Sequence, residues 1–285
     1  MKLIRYFFEF IVISILFIIF KILGYKLASN FGYFLGRYLG PFFRSKSIIN
    51  ENLKKFDNSL DNEEKEEIIR NMWGNYGRIF AEYPFMKNFR FGNLRKNVKI
   101  HGIEKIKNIK NEGPVIFISG HFSNFELMAM AIEKEGINLS AIYRPLNNKF
   151  LNIIMEFIRK NYICKSQIKK GVRGLRKALS DFKKGYSIAL MIDQRVTEGI
   201  KIDFFNSLAS TTTIPAQFVK KFSCRIQPVS IIRKSNFNFE ITFQDQLIFR
   251  KSDTIQNISL ELNKWLEKQI IKNPSQWIWT HNRWK

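Results

Sequence analysis

The chain has 285 residues, 45% of them hydrophobic, enough for one domain with a full core or for two small ones. With 25% charged residues, 7 prolines and 15 glycines it is neither a disordered chain nor a collagen nor a mucin-like stalk. Lysine plus arginine number 47 against 24 aspartates plus glutamates. The resulting net charge of +23 favours anionic partners: nucleic acid, an acidic membrane surface, an acidic protein or a phosphorylated substrate.

The 28 phenylalanines point toward lipid contact. Cys164 and Cys224 form no C-x-x-C and no disulfide framework. His101, His121 and His281 lack partners at metal-site spacing, so no metal is expected.

The N-terminus comes first in chain order. Lys2 and Arg5 precede an apolar run from Tyr6 to Phe20, and Lys21 and Lys26 follow it. The run ends in Phe20-Lys21-Ile22-Leu23, which offers no small-residue cleavage site, so it reads as a retained anchor. As a helix it covers roughly 22 Å, short of a hydrocarbon core of about 30 Å. Both a short crossing with snorkelling lysines and a half-buried surface helix fit, and a buried core helix is the bland alternative. Glu9 inside the run has to pair or snorkel. Gly32, Gly36 and Gly40 then share one helix face over Leu27 to Phe43, and Pro41 ends it. This predicts a second apolar helix folding back on the first.

Asp61 to Tyr83 reads as a capped helix. From Val98 the pattern alternates between short strands and helices: Val115 to Ile118, Phe125 to Lys134, Leu139 to Tyr143, Asn148 to Lys160, Gly171 to Lys184 and Ser187 to Ile192. Then follow Ile202 to Phe205, a helix over Thr213 to Lys220, a hairpin around Ser235-Asn236 and a last helix over Thr254 to Ile271. The alternation predicts an α/β fold with a mostly parallel central sheet flanked by helices. Residues 1–45 are expected to form the anchor and 46–285 the catalytic domain.

The sharpest feature is Gly120-His121-Phe122-Ser123-Asn124-Phe125-Glu126, between a strand and a helix. Open α/β sheets bind ligands beyond the carboxyl ends of their strands, which is where His121 falls. Histidine is a suitable general base near neutral pH, and a carboxylate such as Glu126 would fix its tautomer. A histidine that only satisfies the backbone at a capped helix is the competing reading. Ser123 lacks the G-x-S-x-G context of a nucleophile and fits a helix N-cap better.

The His121-to-Glu126 segment resembles the H-F-G-N-W-E block of the bacterial lipid A biosynthesis acyltransferases. Further blocks resemble that family in order: Tyr143-Arg144-Pro145 with Asn147-Asn148, Gly171-Val172-Arg173 with Lys184-Gly185, Asp193-Gln194, Phe204-Phe205-Asn206 through Ala209 and Thr211, and Gln276 to Trp284. Ser123 and Asn206 stand where the family has glycine, and Phe125 where it has tryptophan. Asparagine tolerates positive φ, so Asn206 is expected to hold the same turn.

The resemblance implies a glycerolipid-acyltransferase-like fold without a cofactor. It implies an enzyme that moves a fatty acyl chain from acyl carrier protein to a hydroxyl of a lipid A precursor in lipopolysaccharide biosynthesis. His121 would be the base and Glu126 its orienting acid. Arg144 would stabilise the oxyanion or a phosphate, with Arg173 as second choice, and Asp193 and Gln194 would bind substrate. Lys21, Lys26, Arg37, Arg44 and Lys46 after the anchor favour a cytoplasmic body at the anionic inner membrane. Two rivals remain: transfer to another lipid (a lysophospholipid, an ornithine lipid or a phosphoinositide mannoside), and a non-catalytic basic protein that binds nucleic acid. Positive charge spread along the whole chain, together with the anchor, argues against nucleic acid as a partner.

Overall fold

The computed structural model describes residues 2–285. Its helices are α1 (Lys2–Leu39), α2 (Lys46–Phe56), α3 (Asn62–Glu82), α4 (Met86–Phe91), α5 (Ile109–Glu112), α6 (Glu126–Lys134), α7 (Lys149–Ile158), α8 (Val172–Lys183), α9 (Ile214–Phe222) and α10 (Ile255–Lys272). Its strands are β1 (Val98–His101), β2 (Ile116–Ser119), β3 (Leu139–Tyr143), β4 (Ser166–Lys169), β5 (Ser187–Met191), β6 (Ile200–Phe204), β7 (Ser207–Thr211), β8 (Ile226–Ser235) and β9 (Asn238–Phe243). Seven strands form one sheet in the order β1-β9-β8-β2-β5-β3-β4, and β6 and β7 form a separate hairpin. Among the described residues only β8 and β9 pair antiparallel within the sheet, as a hairpin. The α/β fold with a mostly parallel sheet is therefore as the alternation of the sequence predicts.

All four residues of β2 are buried. This central strand is apolar on both faces because helices cover both, the usual state of a parallel strand. Chain order places β3 after β2, yet β5 lies between them in the sheet. The chain thus leaves β2, forms α6 and returns one strand further out. Such a crossover opens a crevice at the carboxyl ends of β2 and β5.

The N-terminal helix is bent at Gly24, whose φ of 74° and ψ of 164° are not helical. Only glycine adopts that conformation without cost. The rings of Phe20 and Phe31 lie 6.2 Å apart across the bend, whereas a straight helix would separate their backbones by about 16 Å. The second arm thus folds back toward the first, through the bend at Gly24 and not through the face of Gly32, Gly36 and Gly40. Pro41 lies in the 3₁₀ turn that follows. Gly32 and Gly36 meet α3 at Trp73 and Gly77, where a Cβ would collide with backbone atoms. The glycine face is therefore a helix–helix contact with α3.

Glu9 has the partners it needs: Arg5 at 3.2 Å and the amide of Asn148 at 3.1 Å. Asp61 caps α3 through a reciprocal capping box with Glu64. Between β6 and β7, Phe205 and Asn206 both sit at φ 53°, and Phe204 pairs directly with Ser207. This is the two-residue hairpin that requires positive φ at both positions, and Asn206 fills one of them as expected.

Candidate active site

The pairing of β2 with β5 sets Ser119 beside Met191. Two residues further on, both chains have passed the carboxyl edge of the sheet, and His121 and Asp193 stand side by side. The His121 Nδ1 is 2.8 Å from Asp193 Oδ1. Asp193 Oδ2 accepts the backbone N–H of His121 at 2.7 Å and the indole N–H of Trp277 at 2.9 Å. Asp193 is buried. Burial by itself would raise its pKa, but the charge and two hydrogen bonds of His121, with the Trp277 indole, hold the carboxyl below its usual range. A carboxylate held ionised can only accept, so the proton of a neutral His121 sits on Nδ1 and the Nε2 lone pair is free to act as a base. Because the shift is downward, this pairing stabilises the fold above about pH 4 and loses that contribution as the pH falls further.

The His121 side chain is 19% exposed, and its ring meets Phe125 edge-on with centroids 4.7 Å apart. Phe125 thus forms an aromatic wall beside the ring. Asn124 donates to Glu82 at 2.8 Å, and Glu82 is clamped by Arg233 at 2.6 and 3.0 Å. The loop carrying His121 is therefore braced by a buried ion pair behind it.

The position of Glu126 corrects the expectation that it orients His121. Among the described residues it makes no hydrogen bond to His121. Its Oε1 instead accepts from the Tyr83 hydroxyl at 2.6 Å and from Arg159 Nε and Nη2 at 2.9 and 2.6 Å. The reason is local. Helix α6 begins at Glu126 itself rather than at Ser123, so Glu126 is not one turn inside the helix. A buried guanidinium is also a stronger partner for it than an imidazole whose Nδ1 is already committed. Burial would lower the pKa of Arg159, but Glu126 and Tyr83 more than reverse this and keep it charged. Burial and the Glu126 charge raise Tyr83 well above its ordinary value, so it remains a phenol and a donor.

Arg159 was not among the sequence candidates. The one available signal was its place at the end of the apolar helix α7, where it opens a π-helical turn (Arg159–Ile163). Its guanidinium lies 5.4 Å from the ring centroid of Tyr143. Arg144 and Arg173 follow the carboxyl ends of β3 and β4, are exposed, and have no hydrogen-bonded or ion-pair partner among the described residues. Gln194 is half-buried beside Asp193, and its side chain makes no hydrogen bond among the described residues. Asp193, expected to bind substrate, is hydrogen-bonded to His121. Its signal was present in the sequence: His121 and Asp193 each follow a buried strand by the same short step.

Trp277 and Trp279 are fully buried, and Trp277 positions Asp193. His281 Nε2 accepts the backbone N–H of Arg195 at 2.8 Å and so holds the turn after Asp193. Burial pushes the His281 pKa down to about 4, which keeps the ring neutral in this role.

Ser123 is not the N-cap of α6, which has no side-chain cap. It sits at φ 46°, fully buried, with no partner for its Oγ among the described residues. Its backbone N–H donates to the Gln276 carbonyl at 3.1 Å, which fixes the left-handed conformation. Positive φ and an unpaired buried hydroxyl both cost free energy. Ser123→Gly is therefore expected to raise stability by about 1 kcal/mol, read as a higher denaturant midpoint at unchanged slope. A lower midpoint would mean that the hydroxyl has a stabilising partner.

The family model described as "Bacterial lipid A biosynthesis acyltransferase" matches residues 1–285. Among curated relatives, the lipid A biosynthesis palmitoleoyltransferase of Escherichia coli K12 is 24% identical over 265 residues, covering 88% of this chain and 84% of its own length. The lipid A biosynthesis lauroyltransferase of the same organism is 22% identical over 289 residues, covering 99% and 92%. Among solved structures, the 1-acyl-sn-glycerophosphate acyltransferase PlsC of Thermotoga maritima aligns with a TM-score of 0.44 at 14% identity, over 89% of this chain and 96% of that one.

Proposed function

Because the chain belongs to the bacterial lipid A biosynthesis acyltransferase family, we propose that it moves a fatty acyl chain from an acyl carrier protein thioester to a hydroxyl of a lipid A precursor, with His121 as the general base. The observation that carries this reading is the His121–Asp193 pair at the carboxyl edge of the sheet, with Nε2 free and the ring partly exposed. Asp193 fixes the tautomer and stabilises the imidazolium. The acceptor hydroxyl gives its proton to Nε2 as its oxygen attacks the thioester carbonyl. The tetrahedral adduct collapses, the carbon–sulfur bond breaks, and the departing thiolate takes the proton from the imidazolium. The products are an ester and a free thiol. No acyl-enzyme is needed, because the thioester is already activated. Burial also pushes Cys164 and Cys224 up to about 12, far from a thiolate.

Glu126 serves this site through Arg159 and Tyr83, as a fixed charge pair beside the loop. Arg144 and Arg173 are free to meet anions at the surface, such as the acidic carrier or phosphates. Residues 1–45 act as the anchor. Among the described residues α1 is the one helix long and apolar enough to cross a membrane. Asn148 holds the Tyr6 carbonyl at 2.8 Å, and Phe17 and Phe20 pack on Phe80. These contacts favour a helix lying along the body, with Phe8, Val12 and Ile22 exposed toward the lipid. The basic residues after the anchor favour the cytoplasmic face of the inner membrane.

The test is reconstitution. Purified protein, an acyl carrier protein thioester and a lipid A precursor with a free hydroxyl on a hydroxyacyl chain are expected to give a product heavier by one acyl group in mass spectrometry. Acylation of a lysophospholipid but not of that precursor would replace the acceptor. Transfer from a coenzyme A thioester alone would replace the donor.

A further inference from the structure

A cavity of about 540 Å³ lies between the second arm of α1, α3 and the turn of the β8–β9 hairpin. None of its lining residues belongs to the His121–Asp193 pair. Arg78, 5% exposed, lines it. Its guanidinium is fixed over the Tyr33 ring, 4.7 Å from the centroid. Nη1 donates to Ser29 Oγ and Asn30 Oδ1, each at 3.0 Å. Nε and Nη2 have no acceptor among the described residues, which leaves the side-on fork of the guanidinium open.

Three asparagines in the lining share one polarity. Asn30 Oδ1 accepts from Arg78, Asn71 Oδ1 from the Tyr33 hydroxyl at 2.9 Å, and Asn75 Oδ1 from Arg233 Nε at 3.2 Å. In each the carbonyl oxygen is committed to the protein and Nδ2 has no partner among the described residues. Arg233 also lines the cavity but is neutralised by the bidentate Glu82. The two guanidiniums thus face one buried carboxylate, and the unbalanced charge belongs to Arg78. Asn236 and Ser275 at the rim can donate or accept, but the groups gathered round Arg78 are donors beside a net positive charge, which favours a ligand that accepts and carries negative charge. Phe34 lines the same cavity and is 55% exposed on the apolar side of α1, so the cavity adjoins the surface that meets lipid.

We propose that this cavity binds a phosphate group, with the open edge of Arg78 and the amide nitrogens of Asn30, Asn71 and Asn75 as its donors. The inference does not rest on the acyl-transfer reading. The phosphate comes either from a lipid headgroup reached past Phe34 or from free solution.

The test uses the full chain in neutral detergent, titrated with inorganic phosphate at constant ionic strength and followed by thermal shift. Asn30→Asp keeps the acceptor for Arg78 and supplies the counter-charge that this guanidinium lacks. Asn71→Asp keeps the acceptor for Tyr33 and places negative charge in the cavity. Wild type is expected to show a saturable rise in melting temperature, and both variants an apparent affinity at least tenfold weaker, with phosphate-free melting of Asn30→Asp not below wild type. Vesicles of phosphatidylcholine containing phosphatidic acid then separate the sources. Competition with phosphate beyond that of pure phosphatidylcholine vesicles assigns the site to a lipid headgroup, and no competition assigns it to soluble phosphate. Equal affinity in wild type and both variants, or no saturable response to phosphate in detergent and no variant-sensitive binding to the phosphatidic acid vesicles, overturns the proposal.

Discussion

Asp193→Asn is expected to slow acyl transfer about 10⁴-fold, nearly as far as His121→Ala, with the protein still folded. The Asp193 carboxylate has two distinguishable oxygens. Oδ2 accepts two N–H groups, from the His121 backbone and the Trp277 indole. An amide at this position must keep its oxygen there, which turns its nitrogen toward His121 Nδ1. That nitrogen can only donate, so Nδ1 becomes the acceptor and the proton moves to Nε2. The ring keeps its place and loses its basic lone pair where the acceptor hydroxyl needs it. The imidazolium that forms during transfer would also lose its counter-charge. Because the two residues act as one unit, the double variant His121→Ala/Asp193→Asn should be scarcely slower than His121→Ala alone. Single-turnover transfer from a labelled thioester measures all three. An Asp193→Asn rate within tenfold of wild type would remove Asp193 from the mechanism.

The fold and the place of the site were legible because both rest on local patterns. Buried strands such as Ile116–Ser119 read as short apolar runs, and the helices between them at 3.6-residue periodicity. The glycine immediately after a strand marked the loop that carries His121. What the sequence concealed is what depends on strand order. His121 and Asp193 are 72 positions apart and meet because β5, rather than β3, pairs with β2. Periodicity carries no information about which parallel strands are neighbours. The carboxylate nearest to His121 in sequence, Glu126, is therefore not the one bonded to its ring. The short edge strands β1 and β4, with mixed burial, escaped for a related reason: neither is apolar throughout. Arg159 was hidden among 47 basic residues, since burial is what distinguishes it and burial is a property of the fold.

The second large effect separates the two roles open to Glu126. Among the described residues its carboxylate is the only counter-charge bonded to Arg159, with side chains 8% and 12% exposed. Removing one member of a buried ion pair leaves the other charge desolvated and uncompensated, at a cost of about 3–5 kcal/mol. Glu126→Gln retains an acceptor for Tyr83 and Arg159 and should fall near the lower end of that range, and Glu126→Leu near the upper end. Replacing both partners by apolar residues of similar volume removes the stranded charge, so Glu126→Leu/Arg159→Met should recover much of the loss. Thermal or denaturant unfolding of the four proteins gives the coupling energy directly. Transfer should fall with the folded fraction in the single variants, while the pH–rate profile of the folded fraction keeps the wild-type shape, because the pair that sets the His121 tautomer is intact. An unfolding midpoint unchanged by Glu126→Gln, together with turnover lost by orders of magnitude, would return Glu126 to the reacting centre. The carboxylate would then have to leave Arg159 and approach the imidazole when substrate binds.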